Sequence, residues 1–175
     1  MKQTIDAFDY AGHICKAMRK GILLTTKVGE QVNTMTIGWG KIGIEWNRPI
    51  FIAYVRETRF TKQMLEDSGE FTVNIPLGEV DNKILSYCGT KSGRDTDKIL
   101  DMGLTLVASD VVDVPGIQQL PLTLECKVIY KQKQDLNSVP EAVIKRFYPV
   151  LDESGFQDYH IAYYGEIVNA YLIQE

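Results

Sequence analysis

The sequence predicts a mainly β fold, an antiparallel barrel with short helices set between its strands. Three observations carry that expectation: about seven strand-like runs, no repeated strand–helix alternation, and glycines where barrel strands would bend. Gly21 precedes the first run, at 22–26, and 28–30 reads as a hairpin turn around Gly29. The return strand, 33–39, alternates, with Met35, Ile37 and Trp39 on one face and Thr34, Thr36 and Gly38 on the other. After the loop ending in Arg48-Pro49, residues 50–55 form a further strand. A helix is expected at 60–68, with Phe60, Met64 and Leu65 on one side and Gly69 at its C-terminal cap.

Residues 71–75 read as a strand that Pro76 stops. A second helix, 79–88, places Val80, Ile84 and Leu85 on one face before Gly89, and a third, 95–102, ends before Gly103. Strands at 104–108, 122–133 and 161–173 follow, the last interrupted by Gly165; between the last two, Pro140 suits the first position of a helix through Phe147. Gly38, Gly40, Gly43 and Gly165 are the expected bulge or corner positions. The final strand is apolar on both faces at Ile167-Val168, with Tyr171 and Leu172 beyond, so a second subunit is expected to cover it in a homodimer.

The 175 residues, 45% apolar and 24% charged, suit one globular domain over 1–175. With 19 Lys and Arg against 23 Asp and Glu, the net charge is −4. No basic block exists to hold nucleic acid or an anionic membrane. No apolar run approaches the ~18–20 residues of a membrane span, and residues 1–9 lack the apolar core of a signal peptide. A cytoplasmic setting is expected. Cys15, Cys88 and Cys126 lie far apart without a Cys-x-x-Cys pair, and His13 and His160 are the two histidines, so no metal centre is expected. Gly-x-Ser-x-Gly and His-Glu-x-x-His are both absent, and Thr90 stands where a P-loop needs glycine. If the protein is an enzyme, a bound group carries its chemistry.

Four stretches could hold such a group. The small residues of the 33–40 strand leave room for a flat ligand, although the same threonines also suit a barrel strand facing water. Arg56, Thr58, Arg59, Thr61 and Lys62 cluster at a helix start, where cations are unfavourable unless an anion joins them. A solvated face with Thr58 or Thr61 as N-cap is the alternative there. The glycine-punctuated loop at 88–95 offers Lys91, Ser92 and backbone amides to an anion or a ring; Asp95 equally suits an N-cap, and Cys88 a packed apolar position. His160 opens the last strand beside tyrosines, a setting in which an isolated histidine is more often structural or surface than catalytic. His13, on an expected N-terminal helix, has a weaker claim.

Taken in order, the stretches Asn33-Thr34-Met35-Thr36-Ile37-Gly38-Trp39, Arg56-Glu57-Thr58-Arg59-Phe60-Thr61, Phe71-Thr72-Val73-Asn74-Ile75-Pro76, Cys88-Gly89-x-x-Ser92-Gly93-Arg94-Asp95 and His160-x-x-x-x-Gly165-Glu166-x-Val168 resemble the flavin reductase-like proteins. These have the FMN-binding split-barrel fold, and the likeness is strongest to the flavoredoxin branch, over roughly 21–172. The resemblance implies FMN as cofactor, with Asn33, Thr34, Met35, Thr36 and Trp39 along its ring. It implies Arg56, Thr58, Arg59 and Thr61 around the phosphate and ribityl chain, and Lys91 and Ser92 approaching from their loop. It also implies a homodimer with flavin near the interface, and electrons drawn from NAD(P)H or a protein donor. His160 would lie on the nicotinamide side. One departure stands out: members that use a nicotinamide often carry an acid directly before this histidine, and here Tyr159 precedes it. An electron-transfer protein working between protein partners, with no nicotinamide site, is the alternative. A barrel that has lost its ligand and serves as a binding module is the weaker third.

Overall fold

A computed structural model of the chain describes residues 1–174. Strand β1 (Lys2–Thr4) and helix α1 (Ala11–Met18) lead into β2 (Ile22–Val28), β3 (Gln31–Ile37), β4 (Gly40–Glu45) and β5 (Arg48–Arg56). Helix α2 (Phe60–Ser68), strand β6 (Glu70–Ile75), and helices α3 (Asn82–Thr90) and α4 (Lys98–Asp101) come next. The short β7 (Leu106–Val107) and β8 (Gly116–Ile117), the long β9 (Leu122–Lys133), helix α5 (Glu141–Phe147) and β10 (His160–Ile173) complete the order.

Seven strands pair antiparallel in the order β3-β2-β6-β9-β10-β5-β4, with β1 added to β10. The two ends of that path, β3 and β4, are consecutive in the chain and only Gly38 and Trp39 separate them. So short a link spans roughly 10 Å at most, so the sheet has to curl until its ends meet: a barrel split along a seam at β3–β4. Ile22, Leu24, Phe51, Phe71, Val73 and Leu124, each fully buried, fill its interior. The β10 bulge falls at Gly165, where that packing requires glycine, because a Cβ there would lie 2.3 Å from the Phe71 ring and 2.9 Å from Cys126 Cβ.

Several boundaries differ from those expected. β3 begins earlier and stops at Ile37, since the chain leaves the sheet at Gly38. β4 lies in what reads as loop: glycines and charges break its alternation, and a Trp46-Asn47 turn with both φ values positive, 50° and 57°, returns it as a hairpin. Asp81 and Asp97 cap α3 and α4, moving both starts along the chain from the expected 79 and 95. The strand expected at 104–108 shrinks to β7, and β1 and β8 are too short to carry a pattern. The end of β10 is covered by its own chain: Tyr171 is fully buried under β1 and the 109–116 loop, its hydroxyl 3.4 Å from Ser109 Oγ. Among the described residues no helix is long and apolar enough to cross a membrane.

Candidate functional site

The seam at the end of β3 opens a cleft lined by Met35, Thr36, Trp39, Arg56, Arg59 and His160, with Ile37, Gly38 and Tyr54. β3 forms one wall. Its threonine side chains do not face open space. Thr34 Oγ1 accepts from Thr25 and donates to Leu24 O, while Thr36 Oγ1 donates to Leu85 O at 2.6 Å. They are small because α3 packs on them: a Cβ on Gly89 would touch Thr36 Cβ at 3.3 Å. What the wall offers is its edge. The two-residue hairpin and the register Thr26↔Asn33, Leu24↔Met35 turn the amide and carbonyl groups of Thr34 and Thr36 away from β2.

Lys98 occupies part of that edge, and sequence reading missed it. Its ammonium is buried, donating to Thr34 O at 2.9 Å and to Cys88 O at 3.0 Å. Burial holds its pKa below the ordinary lysine value; nearby Arg59 adds to the effect and Cys88 opposes it. A cation in the first turn after the Asp97 cap is the sequence feature that could have singled it out. Burial also raises the Cys88 thiol, which packs with Leu23 and Ile84.

The opposite wall comes from β5 and β10, where Arg56 and His160 face each other in register. Arg56 donates to Asp158 O (2.6 Å) and Phe147 O (3.0 Å) and lies over the Tyr148 ring. Thr58 binds the Asp158 carboxylate with both its N–H (3.1 Å) and its hydroxyl (2.8 Å). These bonds strap residues 147–158 along the wall. His160 is buried, with Nδ1 2.8 Å from the Tyr148 hydroxyl and its ring 4.8 Å from that of Trp39. Burial, reinforced by Arg56 and Arg59 and opposed by Asp158, lowers its pKa from 6.5 to about 4.

The start of α2 closes the cleft's end. Arg59 takes the N-cap position with no side-chain capping bond, and Arg59 itself makes no ion pair among the described residues. Thr61 is buried and accepts from Asn33 Nδ2 at 2.9 Å. Asn33 Oδ1 is buried without a hydrogen-bond partner. Only glycine fits at position 93, because a Cβ there would lie 2.1 Å from that oxygen. Arg94 reaches back to Thr58 O (3.2 Å) across the Phe60 ring. Of the expected residues, Met35, Thr36, Trp39, Arg56 and Arg59 line the cleft; Asn33, Thr34, Thr58 and Thr61 support it from behind, and Lys91 and Ser92 stand off it. Lys91 is exposed at the end of α3, and Ser92 Oγ accepts from Arg94 N.

A free strand edge, an aromatic wall and uncompensated cations at an uncapped helix start suit a flat, conjugated anion. No group of three or more metal-ligating side chains occurs among the described residues.

Comparison with known proteins bears on this cleft. A family model described as flavin reductase like domain matches residues 18–175. An uncharacterized protein of Archaeoglobus fulgidus is 32% identical over 100 residues, covering 57% of this chain. The match spans 55% of that relative, little more than half its length. Among solved structures, flavoredoxin of Desulfovibrio vulgaris (Miyazaki F) superposes with a TM-score of 0.64 at 22% identity, covering 88% of this chain and 69% of that one. An FMN-binding domain of a flavin reductases-like enzyme from Shewanella baltica OS155 gives 0.62 at 19%, covering 98% and 77%. At these identities the two structures share the fold.

Proposed function

The chain belongs to the flavin reductase-like domain family, and on that premise we propose that it binds FMN in the β3–β5–β10 cleft and passes electrons through it. The observation that carries this reading is the start of α2, where an uncapped helix end, Arg59 without an ion pair among the described residues, and Arg94 leave positive potential together. A phosphate supplies the missing anion. The amide and carbonyl groups of Thr36, with the Thr34 amide, would hold the polar edge of the ring, and Met35 and Trp39 would lie beside it.

When bound, FMN supplies reversible electron uptake. The chain's own residues bind, orient and tune. Arg56, Arg59, Lys98 and the β3 amides set a preorganised positive field that favours an electron-rich ring. Trp39 and Phe147, packed edge to face at 5.1 Å, screen the cleft from water. Thr61 acts through Asn33, and Thr58 and Arg56 act by holding the 147–158 strap.

The electron donor is NAD(P)H or a redox protein. Tyr159 favours the second as an alternative reading: in place of an acid before His160 stands a phenol ring approached by Lys133. A homodimer fits the outer face of β4, β5, β9 and β10, where Ile44, Trp46 and Tyr130 are exposed and Trp46, Tyr130 and Tyr164 pack ring to ring. The deciding experiment is the visible spectrum after FMN addition and desalting. A retained, shifted flavin spectrum is expected; a colourless protein would remove the prosthetic-group reading and bring forward a ligand-free binding module. Rapid bleaching by NAD(P)H then marks a reductase, and its absence an electron carrier.

A further inference from the structure

Beside the cleft, Gln134, Tyr148 and His160 form a row whose hydrogen bonds have a fixed direction. Gln134 lies just beyond β9, and its backbone N–H donates to His160 O at 3.0 Å. The His160 backbone N–H donates in turn to Gln134 Oε1 at 3.4 Å. Only the amide oxygen accepts, so this bond settles which way the Gln134 amide is turned. The Tyr148 hydroxyl is buried, and among the described residues its one hydrogen-bond partner is His160 Nδ1, at 2.8 Å. A buried phenol proton needs an acceptor, and were the hydroxyl only to accept from an Nδ1–H its own proton would have none, so the hydroxyl donates and Nδ1 stays bare.

We propose that Tyr148 is a positioning residue: its hydroxyl donates to Nδ1 of His160 and fixes the ring as the neutral tautomer that carries its proton on Nε2. His160 lines the cleft, and its Nε2 has no hydrogen-bond partner among the described residues and is not among the sealed polar atoms. The ring thus presents a hydrogen-bond donor to whatever lies there. The charged groups around it act against the imidazolium. Burial disfavours it most, and Arg56 and Arg59 repel it; Asp158 attracts it, but that carboxylate is bound to Thr58. Near neutral pH the ring therefore does not take up a proton; it suits a neutral acceptor such as a carbonyl oxygen. That functional consequence rests on the flavin reading, while the tautomer itself does not.

His13 and His160 are the two histidines in the sequence, so long-range proton–nitrogen NMR on 15N-labelled protein resolves the question, with His13→Gln assigning the signals. At pH 7, with and without FMN, a protonated, pyrrole-type Nε2 and a bare, pyridine-type Nδ1 are expected. Tyr148→Phe removes the donor and should raise the share of the Nδ1–H form severalfold. A dominant Nδ1–H form or an imidazolium in the unsubstituted protein overturns the proposal. So does an unchanged tautomer in a folded Tyr148→Phe. Should that variant fail to fold, coupling from the Tyr148 hydroxyl proton to His160 Nδ1 in the unsubstituted protein carries the positioning test, and its absence overturns the proposal. Loss of FMN binding leaves the nitrogen pattern of the cofactor-free protein unaltered, so the two readings fail separately.

Discussion

Arg56 and Arg59 are three residues apart and carry the same charge, yet the structure uses them in opposite ways. Arg56 is satisfied internally, donating to Phe147 O and Asp158 O against the Tyr148 ring. Arg59 sits exposed at an uncapped helix start beside an orphaned amide oxygen. A cation whose donors are filled supports the fold; one whose donors are empty at a positive helix end is held ready for an anion. One short motif therefore divides between a structural wall and a binding corner.

That division can be tested, and the largest effect lies on the wall side. His160 is ordinarily protonated below about pH 6.5, but burial beside Arg56 lowers its pKa to about 4 in the folded chain. As the pH falls the unfolded chain takes up the proton first, so stability drops from about 6.5 to about 4 and levels below, by roughly 2–4 kcal/mol in urea unfolding. His160→Gln should flatten that part of the profile. Next, Arg56→Ala strands two carbonyls and frees the strap, at a cost of roughly 2–3 kcal/mol in the same assay, with α2 intact by amide exchange.

Arg59→Ala should show the reverse. Stability stays within about 0.5 kcal/mol, while FMN affinity, measured by fluorescence quenching, falls roughly 10–100-fold. If Arg56→Ala and Arg59→Ala weakened binding equally at unchanged stability, the contrast between them would collapse. The smallest effect belongs to β3: Thr36→Val loses the bond to Leu85 O and about 1 kcal/mol, with little change in FMN affinity, because the ring would meet backbone at this strand.

The alternation of Met35 and Ile37 against Thr34 and Thr36 was legible, and so was the cluster at 56–62. The reason for the threonines was not: the sequence suggests room for a ligand, whereas α3 fills that room through Leu85 and Gly89. Lys98 was hidden because its partners are two backbone carbonyls, 64 and 10 residues away, which leave no mark on side-chain patterns. Tyr148 was hidden in the same way, 12 residues before a histidine whose proton it directs. β4 escaped notice because an edge strand with glycines and charges needs no clean period of two.

Local chemistry determined what lies within a few residues: the alternating strands, the helix stop at Gly69 in the left-handed region, and the concentration of cations before α2. The order of the motifs was enough to suggest the family. Which face of β3 is packed, which arginine is free, and that β10 is covered at its end by β1 were decided only when the sheet curled its first and last strands together across Gly38 and Trp39. The physical reason is the range of the forces. Propensity, capping and turn geometry act over a few residues, while burial and the pairing of polar groups act between whatever the curled sheet brings into contact.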